Sequence, residues 1–368
     1  MHRTRVMPPI LPHPVQPRQD RPTLAVSTMP NALIHGTGLI GASIGLGLRS
    51  AGWRVVGWDP DPAALDVAMR RGAIAAAAHG PDDGTSDTDL LLLAGPPSAT
   101  VASLSFLDTP ALVTDVAGVK SGVVTAASDL PRFVGGHPMA GGASSGAALA
   151  SSHLFHGATW VLTTDGARDQ DLEVMEGVVR SLGANPSRMT AADHDAAVAR
   201  ISHLPHILAA ALMSVAGQDE QTIKLAGGGF RDLTRIAAAD PDWWVEVLTA
   251  NRVDLGRVIS DLEAELARWK SRLEGGDPAP VAEALSLASR ARTTLGEHHS
   301  QVKVVLYDRP GEIAGVGHAL EASGANVRDF QLRHGEHGGG GILTISVTPA
   351  TADRLREALE AEGFTVEE

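Results

Sequence analysis

Cysteine is absent from the 368-residue chain, and this absence removes several kinds of chemistry at once. Without cysteine the protein has no disulfide bond, no thiolate nucleophile and no thiolate-bound metal. Aromatic residues make up only 4% of the chain, whereas alanine and glycine are abundant. This composition favours closely packed helices and tight turns over an aromatic-rich β-sandwich, and it indicates the compartment only weakly.

Positive charge is also scarce, since the formal net charge is −13. Such a balance argues against nucleic acid or an anionic membrane as the main partner. Because no uninterrupted run of about 18 apolar residues occurs, we expect no membrane-spanning segment. The first 29 residues carry repeated prolines and scattered arginines but lack the apolar core of a secretory signal. We interpret them as a disordered leader of a cytoplasmic protein, and translation is open to starts at Met1, Met7 or Met29.

The length exceeds what one hydrophobic core usually organises, so two or three domains are expected. The pattern changes twice along the chain. Residues 30–190 alternate strands with helices, 191–297 are helical, and 300–368 read as a small strand-and-helix domain. The alternation in the first part predicts a doubly wound parallel sheet.

A short strand, Ala32 to Ile34, leads into HGTGLIG, which contains a complete GxGxxG pattern. In such a turn the first glycine permits the sharp bend, the second lets backbone N–H groups approach a pyrophosphate, and the third allows close helix packing. A second strand ends at Asp59, whose carboxylate suits an adenosine ribose and repels a 2′-phosphate, so NAD is favoured over NADP. A Gly-rich turn without ligand is the alternative. The expected cofactor contacts are Gly36, Thr37, Gly38, Leu39, Ile40, Gly41, Asp59 and Pro96.

Two further loops follow predicted strands at the sheet edge where ligands bind. TDVAGVK carries Asp115 and Lys120, interpreted as a loop-orienting carboxylate and a substrate contact, or alternatively as a cap and a solvated lysine. GGHPMAG, Gly135 to Gly141, places His137 between glycines that would let a substrate approach. An imidazole has a reference pKa of about 6.5, so His137 is a candidate base for the hydroxyl proton released during hydride transfer.

The helical part supplies the other candidate side chains. The segment 191–217 predicts a helix that brings Ser202, His203 and His206 together, with Pro205 opening it locally. With no cysteine and no HExxH motif nearby, we expect no metal there. In GGGFRDLTRI, Arg235 is the candidate clamp for a substrate carboxylate, because a guanidinium can bind it through two hydrogen bonds.

Taken together, these motifs resemble the prephenate dehydrogenase family with a C-terminal ACT domain. GTGLIG, TDV with VK, GGHPMAG, SHLPH and GGGFRDLTR occur in the family's order, and the likeness covers the chain from about Ala32 onward. The resemblance implies a Rossmann-like NAD-binding domain, an all-α dimerisation domain and a small α+β domain of the βαββαβ, ferredoxin-like type. It also implies a homodimer that acts in tyrosine biosynthesis.

The resemblance implies particular roles for the candidate residues. His137 corresponds to the catalytic histidine that hydrogen-bonds the ring hydroxyl, and Arg235 to the arginine that holds a prephenate carboxylate. Ser202, His203 and His206 correspond to the helical motif that lines the pocket. The implied reaction is the oxidative decarboxylation of prephenate by NAD. An ACT domain implies control by an amino acid, L-tyrosine being the natural candidate, through Asp308, Arg309, Pro310, Gly311 and Glu312.

Two positions depart from the family pattern. Gly118 stands where many members have a serine, and Gly142 with Ala143 stands where many have a threonine and a glutamate. Other interpretations also stay open. These are an arogenate dehydrogenase, a non-catalytic regulator that binds NAD and an amino acid, and a hydroxy acid dehydrogenase of another family. The ACT-like domain could also serve oligomerisation without a ligand.

Overall fold

The structure is a computed structural model that describes residues 29–140, 146–293, 300–307, 309–334 and 340–367. The expected leader before Met29, and the predictions for Gly141, Gly142, Ala143 and Asp308, lie outside these ranges. The chain divides into two compact units, Met1–Glu263 and Ala264–Glu368. The domain limits expected from sequence remain predictions.

A six-stranded parallel sheet forms the centre of the first unit, with the strand order β3-β2-β1-β4-β5-β6. This order is that of a doubly wound dinucleotide-binding fold, and it confirms the Rossmann-like prediction. The strands are β1 (Asn31–His35), β2 (Arg54–Trp58), β3 (Ala76–Ala77), β4 (Leu90–Leu93), β5 (Leu112–Asp115) and β6 (Phe133–Val134). The connecting helices are α1 (Leu39–Ser50), α2 (Pro62–Arg70), α3 (Pro97–Leu104) and α4 (Ser121–Ala126), with a short 3-10 turn at Thr85–Asp87.

Both faces of this sheet are covered, as expected for a parallel sheet. Successive residues of β1 point to opposite sides, so Ile34 packs with α1 in one buried cluster while Leu33 packs with β4 and β5 residues in another. The crossover helices thereby leave the carboxyl ends of the strands at one edge. Both the glycine turn after β1 and Asp115 at the end of β5 belong to that edge.

A second, three-stranded sheet continues the first unit and carries His137. Its strands are β7 (Gly136–Pro138), β8 (Thr159–Thr163) and β9 (Asn185–Met189), with a 3-10 turn at Ala147–Leu149 and helix α5 (Asp169–Ser181) between them. β7 runs antiparallel to β8, and His137 is paired with Val161. The sequence interpretation of this stretch as a loop is therefore corrected for Gly136–Pro138, which form a strand that contains His137.

The helical region begins with one continuous helical stretch, Ala191–Ala216. It consists of α6 (Ala191–Val198), a π-helical segment (Ala199–His203) and α7 (Leu204–Ala216). Pro205 lacks the N–H that would bond to the carbonyl of residue 201, so the expected local opening takes the form of this π segment. By length and hydropathy alone this stretch is long and apolar enough to cross a membrane. It nevertheless carries the buried polar residues His194, Asp195 and His203.

The remaining helices follow in close succession. They are α8 (Glu220–Lys224), α9 (Gly228–Thr234), a 3-10 segment (Arg235–Ala238), α10 (Pro241–Ala250), α11 (Arg252–Glu274) and α12 (Pro278–Thr293). The predicted helical composition of this part of the chain is confirmed.

The second unit ends in a four-stranded antiparallel sheet with the order β11-β12-β10-β13 and its own buried core. Its elements are β10 (Ser300–Leu306), α13 (Glu312–Ser323), β11 (Val327–His334), β12 (Gly341–Val347), α14 (Pro349–Ala361) and β13 (Thr365–Glu367). This βαββαβ sequence and strand order are ferredoxin-like. The small α+β domain is thus present, while its assignment as an ACT domain remains a prediction.

Candidate active site

The glycine turn after β1 is shaped by close backbone packing. Gly36 has φ +89°, and a Cβ there would lie 2.6 Å from the carbonyl oxygen of Ala94. A Cβ on Gly41 would lie 1.9 Å from the carbonyl oxygen of Gly36, so α1 can approach the turn only with glycine at 41. At Gly38, the residue before α1, an ideal Cβ meets no atom of the described residues within 4 Å. The second glycine therefore borders open space at a helix N-terminus, where a pyrophosphate can approach the backbone.

Asp59 is held beside this turn at the end of β2. Its Oδ2 accepts hydrogen bonds from Thr37 N (2.6 Å) and Thr37 Oγ1 (3.2 Å), and its Oδ1 accepts from Asp61 N (2.9 Å). The carboxylate is half-buried and fixed next to the glycines, so its negative charge disfavours a 2′-phosphate there. Of the other expected cofactor contacts, Leu39 and Ile40 are half-buried in α1, and Pro96 is exposed just before α3.

His137 is the first residue of a hydrogen-bonded chain that runs into the helical region. Its Nδ1 lies 2.8 Å from Nε2 of His194, and Nδ1 of His194 lies 2.8 Å from Oδ1 of Asp195. The Asp195 carboxylate also accepts from the backbone N–H groups of Lys120 and Ser121, at 2.8 Å each. Burial alone would raise the pKa of Asp195, but the hydrogen bonds from His194 and Ser121 lower it to about 2. Asp195 is therefore an ionised acceptor at neutral pH.

A buried ion pair supports the strand that bears His137. Lys120 Nζ pairs with Asp115 Oδ2, and both side chains are fully buried. Lys120 Nζ also donates to the carbonyl oxygen of Gly136 (2.6 Å), while Gly136 N donates to Asp115 Oδ1 (3.1 Å). The pair thus ties the end of β5 to β7. Burial lowers the pKa of Lys120, although the neighbouring Asp115 opposes this. The Lys120 ammonium group is directed at the Asp115 carboxylate and the Gly136 carbonyl oxygen. Its direct contact with a substrate remains a prediction.

The glycines before His137 serve close packing rather than substrate approach. Both Gly135 and Gly136 are buried. A Cβ on Gly135 would lie 2.7 Å from Oγ1 of Thr163, and one on Gly136 would lie 2.6 Å from the carbonyl oxygen of Asp115. The earlier interpretation of these two glycines as space for a substrate is therefore corrected.

A second branch of hydrogen bonds leaves Asp195 through its backbone. Nδ2 of Asn251 donates to the carbonyl oxygen of Asp195 (2.8 Å) and lies 3.0 Å from Nδ1 of His203. Asn251 and His203 are both buried. Burial lowers the pKa of His203 to about 4, so this imidazole is neutral at pH 7. We refer below to Asp115, Lys120, His137, His194, Asp195, His203 and Asn251 as the His137 network.

The other predicted pocket residues lie on the same helical stretch or shortly after it. His206 stacks on Trp244 with the ring centroids 3.4 Å apart, and Ser202 is half-buried. Arg235 is exposed at the start of its 3-10 segment. Within the described part of the chain, no group of three or more His, Cys, Asp or Glu side chains is arranged to hold a metal ion.

His137 has the electrostatic environment of a base. Its pKa is lowered well below the usual value, first by burial and then by the electrostatic influence of the neighbouring His194, Lys120 and His203. The imidazole is therefore in its neutral form at pH 7. An ideal Cβ on Gly118 would lie 3.7 Å from His137 Nε2, so the ring nitrogen opposite His194 faces this glycine. A serine at 118, as in the resembled family, would set its hydroxyl beside that nitrogen.

His194, Asp195 and Asn251 are the network residues that sequence reasoning missed. The polar run Asp193 to Asp195 in AADHDAA was a usable signal, because three consecutive polar residues are conspicuous in an alanine-rich helix. Nothing in the local sequence marks Asn251, whose partners lie 48 and 56 residues away.

Comparison with known proteins matches two successive parts of the chain to one family. Residues 44–187 match the nucleotide-binding domain of prephenate dehydrogenase, and residues 190–287 match its dimerization domain. A curated prephenate dehydrogenase from Bacillus subtilis is 30% identical over 337 residues, which cover 85% of this chain and 91% of the relative.

Two solved structures are also similar, each with 28% sequence identity. The prephenate dehydrogenase of A. aeolicus, crystallised with hydroxyphenyl propionate and NAD+, has a TM-score of 0.69 and covers 74% of this chain and 100% of its own. The arogenate dehydrogenase of Synechocystis has a TM-score of 0.65, and the match covers 72% of this chain and 100% of the relative. Fold, glycine turn, histidine network and relatives agree: this chain belongs to the prephenate dehydrogenase family of NAD-dependent oxidoreductases.

Proposed function

We propose that the protein oxidises and decarboxylates prephenate with NAD, giving 4-hydroxyphenylpyruvate, carbon dioxide and NADH. The observation that carries this proposal is His137, a neutral imidazole held through Nδ1, with Nε2 directed toward Gly118. His137 lies in a dinucleotide-binding fold of the prephenate dehydrogenase family. A base at this position can accept the hydroxyl proton that the oxidation of prephenate releases.

The cofactor fits the glycine turn. Gly36 and Gly41 close the turn by backbone contact, Gly38 leaves the N-terminus of α1 accessible, and Asp59 supplies the acceptor for a ribose. When bound, NAD supplies the acceptor for the hydride. The protein itself contributes binding, orientation and charge.

His137 handles the proton in this mechanism. It would accept the proton of the ring hydroxyl while the same carbon loses its hydride. It would return that proton to the phenolic oxygen once the ring carboxylate has left as carbon dioxide. The aromatic product supplies a strong internal driving force, so the protein mainly has to position the reacting groups. Arg235 is the proposed clamp for a substrate carboxylate, with Ser202 and His206 lining the pocket.

Steady-state kinetics of NADH formation test these roles. We expect His137→Asn to lower kcat by at least about 10²-fold with NAD affinity retained, because only the proton acceptor is lost. Arg235→Gln should mainly raise KM for prephenate, whereas Arg180→Gln, an exposed arginine on α5, should change neither constant. Unchanged turnover in folded His137→Asn protein would remove the proposed base.

Arogenate is the second candidate substrate, since the chain shares the fold of an arogenate dehydrogenase. Arogenate carries an amino group where prephenate carries a keto oxygen. Assays with each compound separately decide between them, and an absence of NADH from both would favour a non-catalytic protein.

We also propose a homodimer built on the helical region. Several large apolar side chains on or beside α7 are exposed in the single chain, and this region matches a dimerization domain. They are Ile201, Leu212, Met213 and Val215. Sedimentation velocity should show a dimer that Leu212→Asp converts to monomer. A cytoplasmic location stays a prediction.

The C-terminal domain is the proposed amino-acid sensor. A cavity of about 330 Å³ opens beside the start of α13. It contains groups of both signs, with Arg309 suited to a carboxylate and Glu312 to an ammonium group. Its lining is Val305, Tyr307, Arg309, Pro310, Gly311, Glu312, Gly315, Glu362, Gly363 and Phe364. Four of the five predicted regulatory residues thus line one cavity, and Phe364 offers an apolar surface for a side chain.

Calorimetric titration with L-tyrosine and L-phenylalanine tests this sensor. Arg309→Leu should weaken binding at least about tenfold, because it removes the cation for the carboxylate. Arg354→Leu, an exposed arginine on α14 outside the cavity, is the matched control. Full-length protein that binds neither amino acid would reject the sensor role.

A further inference from the structure

The hydrogen-bond partners in the His137 network determine which ring nitrogen of each histidine carries the proton. Asp195 is ionised, so its Oδ1 only accepts, and the facing Nδ1 of His194 must be protonated. When the His194 ring carries only that one proton, its Nε2 is unprotonated. His137 must therefore donate from Nδ1, and its Nε2 is left with the free lone pair.

The second branch imposes the opposite arrangement on His203. The carbonyl oxygen of Asp195 can only accept, so the amide of Asn251 must direct Nδ2 toward it. The other proton of that Nδ2 points to Nδ1 of His203, which consequently accepts. A neutral His203 therefore carries its proton on Nε2. Asp195 thus determines the tautomer of both His137 and His203.

The orientation of the His137 ring makes this assignment relevant to chemistry. Its Nδ1 is occupied by His194, while its Nε2 lies on the side of Gly118, which has no side chain to compete for the lone pair. Were the proton on Nε2 instead, the accessible nitrogen would be a donor and could not accept a proton.

Backbone N–H groups hold the Asp195 carboxylate in place. Both carboxylate oxygens of Asp195 accept N–H groups, from Lys120 and Ser121 at the start of α4. The same loop carries the buried Lys120–Asp115 pair that supports β7. Asp195 therefore cannot rotate away without leaving both N–H groups unpaired, that of Lys120 in a buried position.

We propose that Asp195 is a positioning residue that fixes opposite tautomers in the two site histidines, acting on His137 through His194 and on His203 through Asn251. His137 then presents a base, and His203 presents an N–H donor. The kinetic consequence rests on the proposed oxidation at His137, whereas the tautomers are a property of the free protein.

The tautomers can be read directly in the wild-type protein. Imidazole nitrogen chemical shifts of ¹⁵N-histidine-labelled protein at neutral pH distinguish protonated from unprotonated ring nitrogens. Signals of His137 are identified by their loss in His137→Asn, and those of His203 by their loss in His203→Gln. We expect the proton on Nδ1 in His137 and on Nε2 in His203. The reverse assignment in His137 overturns the proposal, whatever the activity.

A matched pair of variants tests the consequence for turnover. His194→Gln keeps an acceptor, because a glutamine oxygen can take the place of Nε2, whereas His194→Phe keeps ring volume without an acceptor. We expect His194→Phe to lower kcat about 10²-fold, with KM changed less than about threefold and the His137 proton distributed over both nitrogens. His194→Gln should recover kcat to within about tenfold of wild type and restore the single tautomer.

The pH profile adds a readout that a purely structural role would not change. The groups facing His137 are His194, Lys120, His203 and Asp195. The acid limb of kcat/KM should move in His194→Phe and stay in His153→Phe, a substitution at an exposed histidine outside the network. If His194→Phe retains both the kcat and the pH profile of wild type, the positioning role is rejected.

Failure of the proposed function gives a different pattern. Wild-type protein with the expected tautomers but no NADH from prephenate or arogenate would reject the function and leave the tautomer assignment standing. If His194→Phe does not fold, the wild-type spectrum and the His194→Gln variant still decide the question.

Discussion

The glycine turn and the His137 network stand at the same edge of the sheet but are built in different ways. The turn lies within six consecutive positions, Gly36 to Gly41, and its shape follows from contacts that leave no room for a Cβ at either end. The network joins segments far apart in the chain and depends on buried polar groups that satisfy one another's hydrogen bonds. A substitution in the turn should therefore lower stability through steric overlap, whereas a substitution in the network should lower it by leaving a buried charge unpaired.

The strongest test of this contrast is the buried ion pair. Lys120→Met leaves the Asp115 carboxylate buried without its cation, so we expect the free energy of unfolding to fall by about 3–5 kcal/mol. Urea titration followed by circular dichroism measures the loss. The double variant Asp115→Asn with Lys120→Met should regain much of it, because no unpaired charge remains. A loss below about 1 kcal/mol in the single variant would show that the pair is not a stabilising part of the network.

The turn offers a comparison between two of its own glycines. Gly41→Ala places a Cβ against the carbonyl oxygen of Gly36 and should cost about 3 kcal/mol of stability. Gly38→Ala meets no described atom within 4 Å, so stability should change little while NAD affinity falls. Unfolding titrations and NAD binding by calorimetry separate the two effects. Equal stability losses in both variants would contradict the steric account.

His35, which precedes the turn, is a buried histidine outside the network. Neither of its ring nitrogens has a hydrogen-bond partner among the described residues, and burial lowers its pKa to about 4. Between pH 6.5 and 4 the unfolded chain binds a proton that the folded protein does not, so stability falls as the pH falls. At pH 5 this contribution reaches about 2 kcal/mol.

His35→Leu should remove that pH dependence. We expect the stability difference between pH 7.5 and pH 5 to be about 2 kcal/mol smaller in the variant than in wild type. The exposed His153→Leu is the control and should match wild type. If His35→Leu and wild type lose stability in parallel on acidification, His35 is not the group responsible.

The smallest expected effect is at Gly118. A serine Cβ there would be in ordinary contact with His137 Nε2, at 3.7 Å, so stability should change by less than about 0.5 kcal/mol. The added hydroxyl can hydrogen-bond near the reacting proton, and we expect kcat/KM to rise about two- to tenfold. Gly118→Ala supplies the methylene without the hydroxyl and should give no gain. A gain of equal size in both variants would assign the effect to packing.

What could be predicted from sequence follows the same division. The strand, the three glycines and Asp59 form a local pattern, and the structure gives Gly36 and Gly41 a steric reason and Gly38 an open approach to the backbone. His137 was found because it follows a predicted strand. His194 was not, because its partner lies 57 residues away and no local pattern records that pairing. β9 was missed because Pro186 and Arg188 weaken its strand pattern.

The helix phase explains why even the correct histidines could not be paired in advance. From His194 to His203 is nine residues, which in an uninterrupted α-helix places the two side chains about half a turn apart. The π segment Ala199–His203 takes more residues per turn and so changes that phase. Pro205 signalled the disturbance, but not its type or its direction.

The π segment also implies a compromise between stability and activity. An α-helix with one residue fewer across 199–203 could restore the i→i+4 hydrogen bonds of this segment, except the one that Pro205 cannot donate, so the present helix gives up some of the stability open to it. That shorter helix would carry His203 and Asp195 in a different phase and separate the groups that Asn251 joins. Selection for thermal stability alone would favour the deletion, and selection for turnover would oppose it.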